Sequence, residues 1–387
     1  MKAFTLLLFL LVGGGLALSP AVYAQSWNNA TRLYSSQPAS PESFGESVAV
    51  TPALVVAGAP VKTGATSGYA MVYGTTPGGT RLVPNSAGAG MNFGIDVAAA
   101  GKVVVVGTAQ PAYKAGKAFV YTAEGNGWQE QVLQASNATS NDGFGRSVAT
   151  DGTRIAVGAV NTHYVGAVYV FARENGQWVE TRLPTASATA QDWFGEAVAI
   201  DGNRVVVGAR SRTPYDPGSV IVYEENGGRW SATRLTPVNK AGKTAFGRAV
   251  AIDGNTVVVG APADDRNGTD AGCVYVYTFD GSSWQTQVLR PQGGQAKDHF
   301  GASVAIAGET MVVGAPGTST HGSYAGGVYV YRRSGGTWQL HSRYFPSDAG
   351  PNFSCGTSVA LAGDRIVMGC PGDNREGFAT GSVLLLD

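Results

Sequence analysis

Large and small side chains alternate along short segments of this chain, and an unbroken apolar run follows each segment. In residues 246–262, FGRAVAIDGNTVVVGAP, a large side chain at every second position from Phe246 to Ile252 alternates with glycine or alanine. A period of two predicts a β-strand, and the small residues predict close approach of a neighbouring backbone. Asp253-Gly254 predicts a tight hairpin turn, and the apolar run after it predicts a second, buried strand.

Two more strand patterns complete the unit. The third strand is predicted where β-branched and aromatic residues alternate, as in Val274-Tyr-Val-Tyr277. The fourth pattern is more polar, which is typical of an outer, half-exposed strand. It opens on a tryptophan in five units, at Trp128, Trp178, Trp230, Trp284 and Trp338. The mature chain has no helical periodicity, so each unit is predicted to contain four antiparallel strands.

The unit recurs about every 50 residues, and a fixed period of this size predicts a propeller or a solenoid. The copies begin at Phe44, Phe93, Phe144, Phe194, Phe246, Phe300 and, in altered form, Cys355. We therefore predict an all-β fold, a single seven-bladed β-propeller of four-stranded antiparallel blades. An open solenoid is the alternative.

The two ends of the repeat array predict how the ring closes. The last copy stops at Gly381–Asp387, which has the pattern of a third strand without a fourth. Residues 26–33, SWNNATRL, resemble the fourth strand Trp230–Leu235 but precede the first copy. The N-terminal strand is therefore predicted to complete the last blade, which removes open sheet edges.

The repeated dipeptide and tripeptide resemble the FG-GAP repeat family. The matching residues are Phe44-Gly45 with Gly58-Ala59-Pro60, Phe246-Gly247 with Gly260-Ala261-Pro262, and Phe300-Gly301 with Gly314-Ala315-Pro316. Such repeats build the propeller head of integrin α subunits and occur in bacterial secreted proteins. The resemblance implies the propeller fold, and a fold by itself does not fix a function.

Residues 1–24, MKAFTLLLFLLVGGGLALSPAVYA, predict a secretory signal peptide. A positive Lys2 precedes an apolar run, and Val22-Tyr23-Ala24 forms a cleavage site. A membrane anchor is the alternative, but the run is short for a span and contains three glycines. The predicted propeller therefore occupies residues 25–387 of a secreted or cell-surface protein, in the periplasm or outside the cell.

The charge balance argues against a nucleic-acid partner, and the cysteines favour an oxidising compartment. The chain has 27 basic and 27 acidic residues, so we predict no nucleic-acid partner, and we expect a monomer. Cys355 and Cys370 bracket the first hairpin of the last unit and predict a disulfide, with two buried thiols as the alternative. Cys273 is predicted to be a lone buried thiol. Glycan-acceptor sequences, meaningful only in a eukaryotic source, lie at Asn29, Asn137, Asn267 and Asn352.

The face that carries the loops between strands 2 and 3 is the candidate binding face, because these loops are long and varied whereas the hairpin turns are short. An aromatic residue precedes the glycine of the third strand in five units, at Tyr113, Tyr164, Tyr215, Tyr324 and Phe378. These side chains could form a ligand-binding ring for a protein or carbohydrate. Alternatively, each covers the edge of its own blade.

A calcium site is a second candidate on this face. The integrin resemblance implies an Asp-rich calcium loop in the first hairpin, but the short Asp-Gly turns here cannot supply six to eight oxygens. The remaining candidate ligands are Asp264, Asp265 and Asp270, in one loop between strands 2 and 3, and a solvated loop is the alternative. We predict no other cofactor.

No catalytic motif is found in the sequence, and no catalytic residue is predicted. Glu46, Arg146, Glu196 and Arg248 share the position after Phe-Gly, where they are expected to line the central channel as alternating charges. The leading hypothesis is a secreted, non-enzymatic recognition or adhesion propeller. The alternatives are a propeller hydrolase or lyase acting on polysaccharide at the channel mouth, and a structural component of a surface assembly.

Overall fold

The computed structural model describes residues 30–35, 42–61, 67–74, 78–86, 88, 90–108, 114–162, 165–185, 192–211, 213, 215–238, 242, 244–377 and 379–387. These residues form seven four-stranded antiparallel sheets and contain no α-helix. The predicted seven-bladed β-propeller is confirmed. The predicted signal peptide and the side chains of Tyr113, Tyr164 and Phe378 lie outside the described residues.

Each blade contributes its first strand to the wall of the central channel. These strands are β2 (Val48–Val50), β6 (Val97–Ala100), β10 (Phe144–Thr150), β14 (Asp192–Asp201), β18 (Ala249–Asp253), β22 (Ser303–Ala307) and β26 (Val359–Ala362). The second strands are almost entirely buried. They are β3 (Val55–Ala59), β7 (Val103–Gly107), β11 (Arg154–Ala159), β15 (Arg204–Ser211), β19 (Thr256–Ala261), β23 (Thr310–Gly314) and β27 (Arg365–Cys370).

The third strands carry the Val-Tyr-Val-Tyr pattern or its equivalents. They are β4 (Tyr69–Tyr73), β8 (Ala118–Glu124), β12 (Ala167–Glu174), β16 (Ser219–Asn226), β20 (Cys273–Phe279), β24 (Val328–Ser334) and β28 (Ser382–Leu386). The outer strands are more exposed, as predicted. They are β5 (Thr80–Leu82), β9 (Gly127–Leu133), β13 (Gln177–Arg182), β17 (Arg229–Leu235), β21 (Trp284–Leu289), β25 (Thr337–Tyr344) and, for the last blade, β1 (Thr31–Leu33). Blades 1 to 7 are numbered from β2.

Among the described residues, the hydrophobic core is divided into seven clusters, each between two adjacent blades. Between blades 4 and 5, for example, Val206 and Val222 pack against Phe246 and Val259. Phe246 is fully buried, and its ring makes an edge contact with Tyr275 at 5.2 Å between centroids. Burial of such a side chain stabilises the fold by about 2–3 kcal/mol. The Phe of the repeat is therefore a wedge between neighbouring blades.

Two glycines recur in the repeat because they lie where the backbones of adjacent blades come into contact. In blade 5 the Gly247 N–H donates to the carbonyl of Gly260 at 3.1 Å. A Cβ added at Gly260 would lie 2.0 Å from the carbonyl oxygen of Gly301, the Phe-Gly glycine of the next blade. The same approach joins Gly58 to Gly94 and, across the closure of the ring, Gly369 to Gly45. These glycines let the backbones of neighbouring blades touch.

The N-terminal strand closes the ring, as predicted. Strand β1 pairs antiparallel with β28, with Thr31 opposite Leu385 and Leu33 opposite Val383. A disulfide joins Cys355 to Cys370, which confirms the predicted pairing, and Cys273 is a buried free thiol.

The two faces of the ring differ in the length of their connections. On one face, β18 ends at Asp253 and β19 begins at Thr256. On the opposite face, β19 ends at Ala261 and β20 begins only at Cys273. We call these the turn face and the loop-rich face. No helix among the described residues has the length and apolar character needed to cross a membrane.

Candidate functional site

The channel opens on the loop-rich face into a cavity of about 260 Å³. Strand 1 of each blade starts at this face, so the residues just after Phe-Gly lie at the mouth. The position immediately after Phe-Gly is occupied, from blade 1 to blade 7, by Glu46, Ile95, Arg146, Glu196, Arg248, Ala302 and Thr357. The predicted location of Glu46, Arg146, Glu196 and Arg248 in the channel is therefore confirmed.

A backbone irregularity aims these side chains at the channel. Between Phe194 and Ala197 the register of β14 against β15 shifts, and the same shift occurs in blade 3 between Phe144 and Ser147. The intervening glycines, Gly145 and Gly195, both have a φ of 87°. This left-handed conformation suits glycine, and a bulge of this kind redirects the next side chain. The Phe-Gly glycine thus places the mouth residue as well as the blade contact.

Glu196 is fixed by two arginines and is not a mobile acid. Arg210 donates to both of its carboxylate oxygens, from Nε at 2.7 Å and from Nη2 at 3.1 Å. The Arg210 guanidinium also lies 4.1 Å from the centroid of the Trp193 ring. Arg248 Nη1 lies 3.7 Å from Glu196 Oε1, while 47% of the Arg248 side chain stays exposed. The Glu196 carboxylate, only 4% exposed, is therefore enclosed by positive charge.

Asp96 lies one residue deeper in the channel, on blade 2. Its Oδ1 accepts a hydrogen bond from the Ser47 hydroxyl at 2.8 Å, and its Oδ2 accepts the Val148 N–H at 2.8 Å. These bonds join blades 1, 2 and 3. Burial raises the pKa of Asp96 to about 6, although the Val148, Ser47 and Val97 hydrogen bonds and the charge of Arg146 act to lower it.

Four repeats of this chain match the model of a known protein family. The FG-GAP repeat model matches residues 128–171, 178–223, 230–277 and 284–331. The chain is an FG-GAP repeat protein. Each matched segment runs from the outer strand of one blade to the third strand of the next. The FG-GAP propeller fold suggests a binding or recognition role.

Other comparisons add little about the activity of this FG-GAP protein. None of the curated proteins matches it in a sequence search. Among solved structures, it is similar to the β-propeller domain of the Trilobed protease from Pyrococcus furiosus, described as having an open velcro topology. That match has a TM-score of 0.44 and 9% sequence identity, and it covers 71% of this chain and 77% of the other.

The aromatic residues predicted to form a ligand-binding ring occupy two different backbone positions in the FG-GAP blades. Tyr324, Asp270 and Ala379 are equivalent, since each stands two residues before the strand-3 glycine with a φ near 50°. The carbonyl of Tyr324 accepts the Ser354 N–H from the next inter-blade link at 2.9 Å. Tyr215, three residues before its glycine, is 88% exposed. The binding role of these aromatics stays a prediction.

The predicted calcium loop of blade 5 is organised around an arginine. Arg266 Nε lies 2.8 Å from Asp264 Oδ1 and 2.9 Å from Asp264 Oδ2, and its Nη2 donates to the Tyr275 hydroxyl. Asp265 is exposed, and its Oδ1 accepts the Asp270 N–H at 2.8 Å. No group of three or more acidic, His or Cys residues in the described part of the chain could hold a metal ion. Calcium binding by Asp264 would require displacement of Arg266, and the site stays a prediction.

Sequence reasoning missed Arg210, Trp193 and Asp96. Arg210 replaces the proline of Gly-Ala-Pro in blade 4, and this replacement was the available signal. The pairing of Arg210 with Glu196 depends on strand register. Phe194 lies opposite Ala209, and this places Arg210, the next residue, beside the bulge at Glu196.

Proposed function

We propose that this protein is a secreted, non-enzymatic recognition propeller that binds a protein or glycan ligand with its loop-rich face. The observation that carries the proposal is the charged channel mouth. Arg146 and Arg248 are exposed there, on a rigid wall of inner strands that opens among long loops. Binding sites commonly combine a rigid scaffold with variable loops in this way.

The state of the acidic groups favours binding over hydrolysis. An acid–base pair of carboxylates must exchange protons with the substrate. Arg210 and Arg248 enclose the Glu196 carboxylate. The Asp96 carboxylate accepts hydrogen bonds from donors on three blades, namely the Ser47 hydroxyl and the N–H groups of Val97 and Val148. These carboxylates are held as structural partners of neighbouring groups.

Secretion is supported by two independent features. Residues 1–24 have the pattern of a signal peptide. The Cys355–Cys370 disulfide suits an oxidising compartment, where such bonds persist.

The proposal is tested by screening residues 25–387 on a glycan array and on a panel of immobilised extracellular proteins, with and without calcium. Each ligand found is then measured by surface plasmon resonance against Tyr215→Ala on the loop-rich face and Arg229→Ala, a matched exposed change on the turn face of the same blade. We expect a saturable ligand whose affinity falls only with Tyr215→Ala. Ligands that respond only to Arg229→Ala would contradict the proposal, as would turnover of any arrayed glycan.

A further inference from the structure

We propose that Arg146 and Arg248 form a carboxylate-binding site at the channel mouth, which receives an acidic side chain of a protein ligand. This inference rests on the proposed function and specifies the ligand chemistry. The two arginines stand on blades 3 and 5, on either side of Glu196 in blade 4.

The charge of this sector is unbalanced. On blades 3 to 5, Arg146, Arg210 and Arg248 supply three guanidiniums, whereas Glu196 supplies one mouth carboxylate, which contacts Arg210 and Arg248. Glu46 stands on blade 1, two blades from Arg146 and three blades from Glu196. Asp96 on blade 2 adds a second carboxylate, whose charge interacts with that of Arg146, so the three guanidiniums exceed the neighbouring carboxylates by one positive charge. This excess attracts an anion into a cavity bounded by protein on its sides.

The two arginines keep donors for a ligand. Both carboxylate oxygens of Glu196 already accept hydrogen bonds from Arg210. Arg248, whose Nη1 lies 3.7 Å from Glu196 Oε1, is therefore a secondary partner with an exposed head group. Arg146 has no ion-pair partner within 4.0 Å among the described residues, and its side chain is exposed at the mouth. A planar guanidinium binds a carboxylate with two parallel hydrogen bonds, so these donors suit that ligand group.

The wall below the arginines favours a peptide side chain over a sugar ring. None of the described residues that form the cavity is aromatic, whereas a sugar is commonly held by stacking on an aromatic face. The next layer consists of Asp96 and small side chains, among them Ser47 and Ser147. A ring of valines follows one residue further along the strands and suits the methylene stem of a glutamate or aspartate. It consists of Val48, Val148, Val198, Val250, Val304 and Val359. The cavity of about 260 Å³ has room for one such side chain.

The test uses fluorescence anisotropy with a fluorescein-labelled hexaglutamate peptide, and a hexaglutamine peptide as the neutral probe. The mature chain is compared with Arg146→Gln/Arg248→Gln. The matched control is Arg182→Gln/Arg343→Gln, which removes two exposed arginines from outer strands and changes net charge equally. Thermal melts verify that both variants are folded.

We expect hexaglutamate to bind the wild type and hexaglutamine not to bind. The mouth variant should lose about tenfold or more in affinity, as expected for hydrogen bonds to a charged group, and the control should stay within about twofold. Added salt should weaken binding to the wild type more than to the mouth variant. Equal loss in both variants would overturn the inference, since it would show attraction by net charge alone.

Tri-galacturonate serves as a second probe, because it carries the same carboxylate on a saccharide. Binding of tri-galacturonate without binding of hexaglutamate would overturn the assignment to a peptide. If a ligand from the screen is lost on Tyr215→Ala but not in the mouth variant, this inference fails while recognition by the loop-rich face stands. If hexaglutamate binding depends on the arginines but the screen yields no ligand, the site stands and the proposed function fails.

Discussion

Arg32 Nη1 lies 3.2 Å from Asp373 Oδ2, and this ion pair joins the N-terminal strand to the last blade across 341 residues of sequence. Only 8% of the Arg32 side chain and 1% of the Asp373 side chain are exposed. Arg32 also donates to Asp348 at 2.8 Å and to the Ser382 hydroxyl at 2.7 Å. Together with β1–β28 pairing, this network closes the ring.

Arg32→Ala should therefore destabilise the propeller. Removing one partner of a buried ion pair costs about 3–5 kcal/mol when the other charge is left alone. Asp373 retains Arg375 at 2.6 Å, so we expect a loss of about 2 kcal/mol in the free energy of unfolding, measured by guanidinium denaturation. The matched control, Arg365→Ala, breaks the exposed pair with Asp387 and should cost less than about 1 kcal/mol. Equal losses would contradict a special role for Arg32.

The same network predicts a loss of stability in acid. Burial acts to raise the pKa of Asp373, but hydrogen bonds from Arg375 and Ser382 outweigh it and hold the pKa below its ordinary value of 3.8. A carboxyl with a lowered folded pKa contributes stability that is present above the unfolded pKa and is lost as the pH falls through the folded pKa. The stability difference between the wild type and Asp373→Asn should thus shrink progressively below about pH 4. A constant difference down to pH 2, measured by denaturation at each pH, would contradict this.

The raised pKa of Asp96 predicts the opposite dependence of stability on pH, in the range between about pH 4 and 7. Its folded pKa of about 6 lies above the ordinary 3.8, so between these values the folded protein binds more protons than the unfolded chain. Stability should rise by about 2 kcal/mol as the pH falls from 7 to 4.5, because one pKa unit corresponds to about 1.4 kcal/mol. Asp96→Asn should remove this rise. In the carboxyl carbon NMR titration, Ser47→Ala should move the pKa of Asp96 further up, and an unchanged midpoint would count against the hydrogen bond.

The contact between glycines of adjacent blades predicts a strong position dependence for alanine substitution. Gly260→Ala would force a Cβ within 2.0 Å of the Gly301 carbonyl oxygen, so the blades must separate at a cost of about 3 kcal/mol or more. Gly254→Ala, in the hairpin turn of the same blade, meets open space at a φ of 53° and should cost about 1 kcal/mol. Thermal melts of the two variants make the comparison. Similar melting temperatures would show that the blades adapt to a side chain at this contact.

The fold could be predicted almost completely because each element is specified seven times. Alternation, the Asp-Gly turns and the Val-Tyr-Val-Tyr strands are local signals, and residues 26–33 match the missing outer strand. The site was predictable only in part. The shared position of Glu46, Arg146, Glu196 and Arg248 follows from the repeat. The pairing of Arg210 with Glu196 and the link from Asp96 to Val148 do not, because they depend on bulges and on distances between blades.

The central claim, that recognition occurs on the loop-rich face, is tested most directly by blocking one face at a time. Cysteine is introduced at Tyr215 on the loop-rich face or at Arg229 on the turn face and is coupled to maleimide-polyethylene glycol. Cys273 is fully buried and Cys355–Cys370 is oxidised, so the introduced thiol is the reactive one. For a ligand found in the screen, the polymer on Tyr215→Cys should reduce the affinity by about tenfold or more, and on Arg229→Cys by less than about twofold. Loss of binding only when the turn face is blocked would contradict the claim.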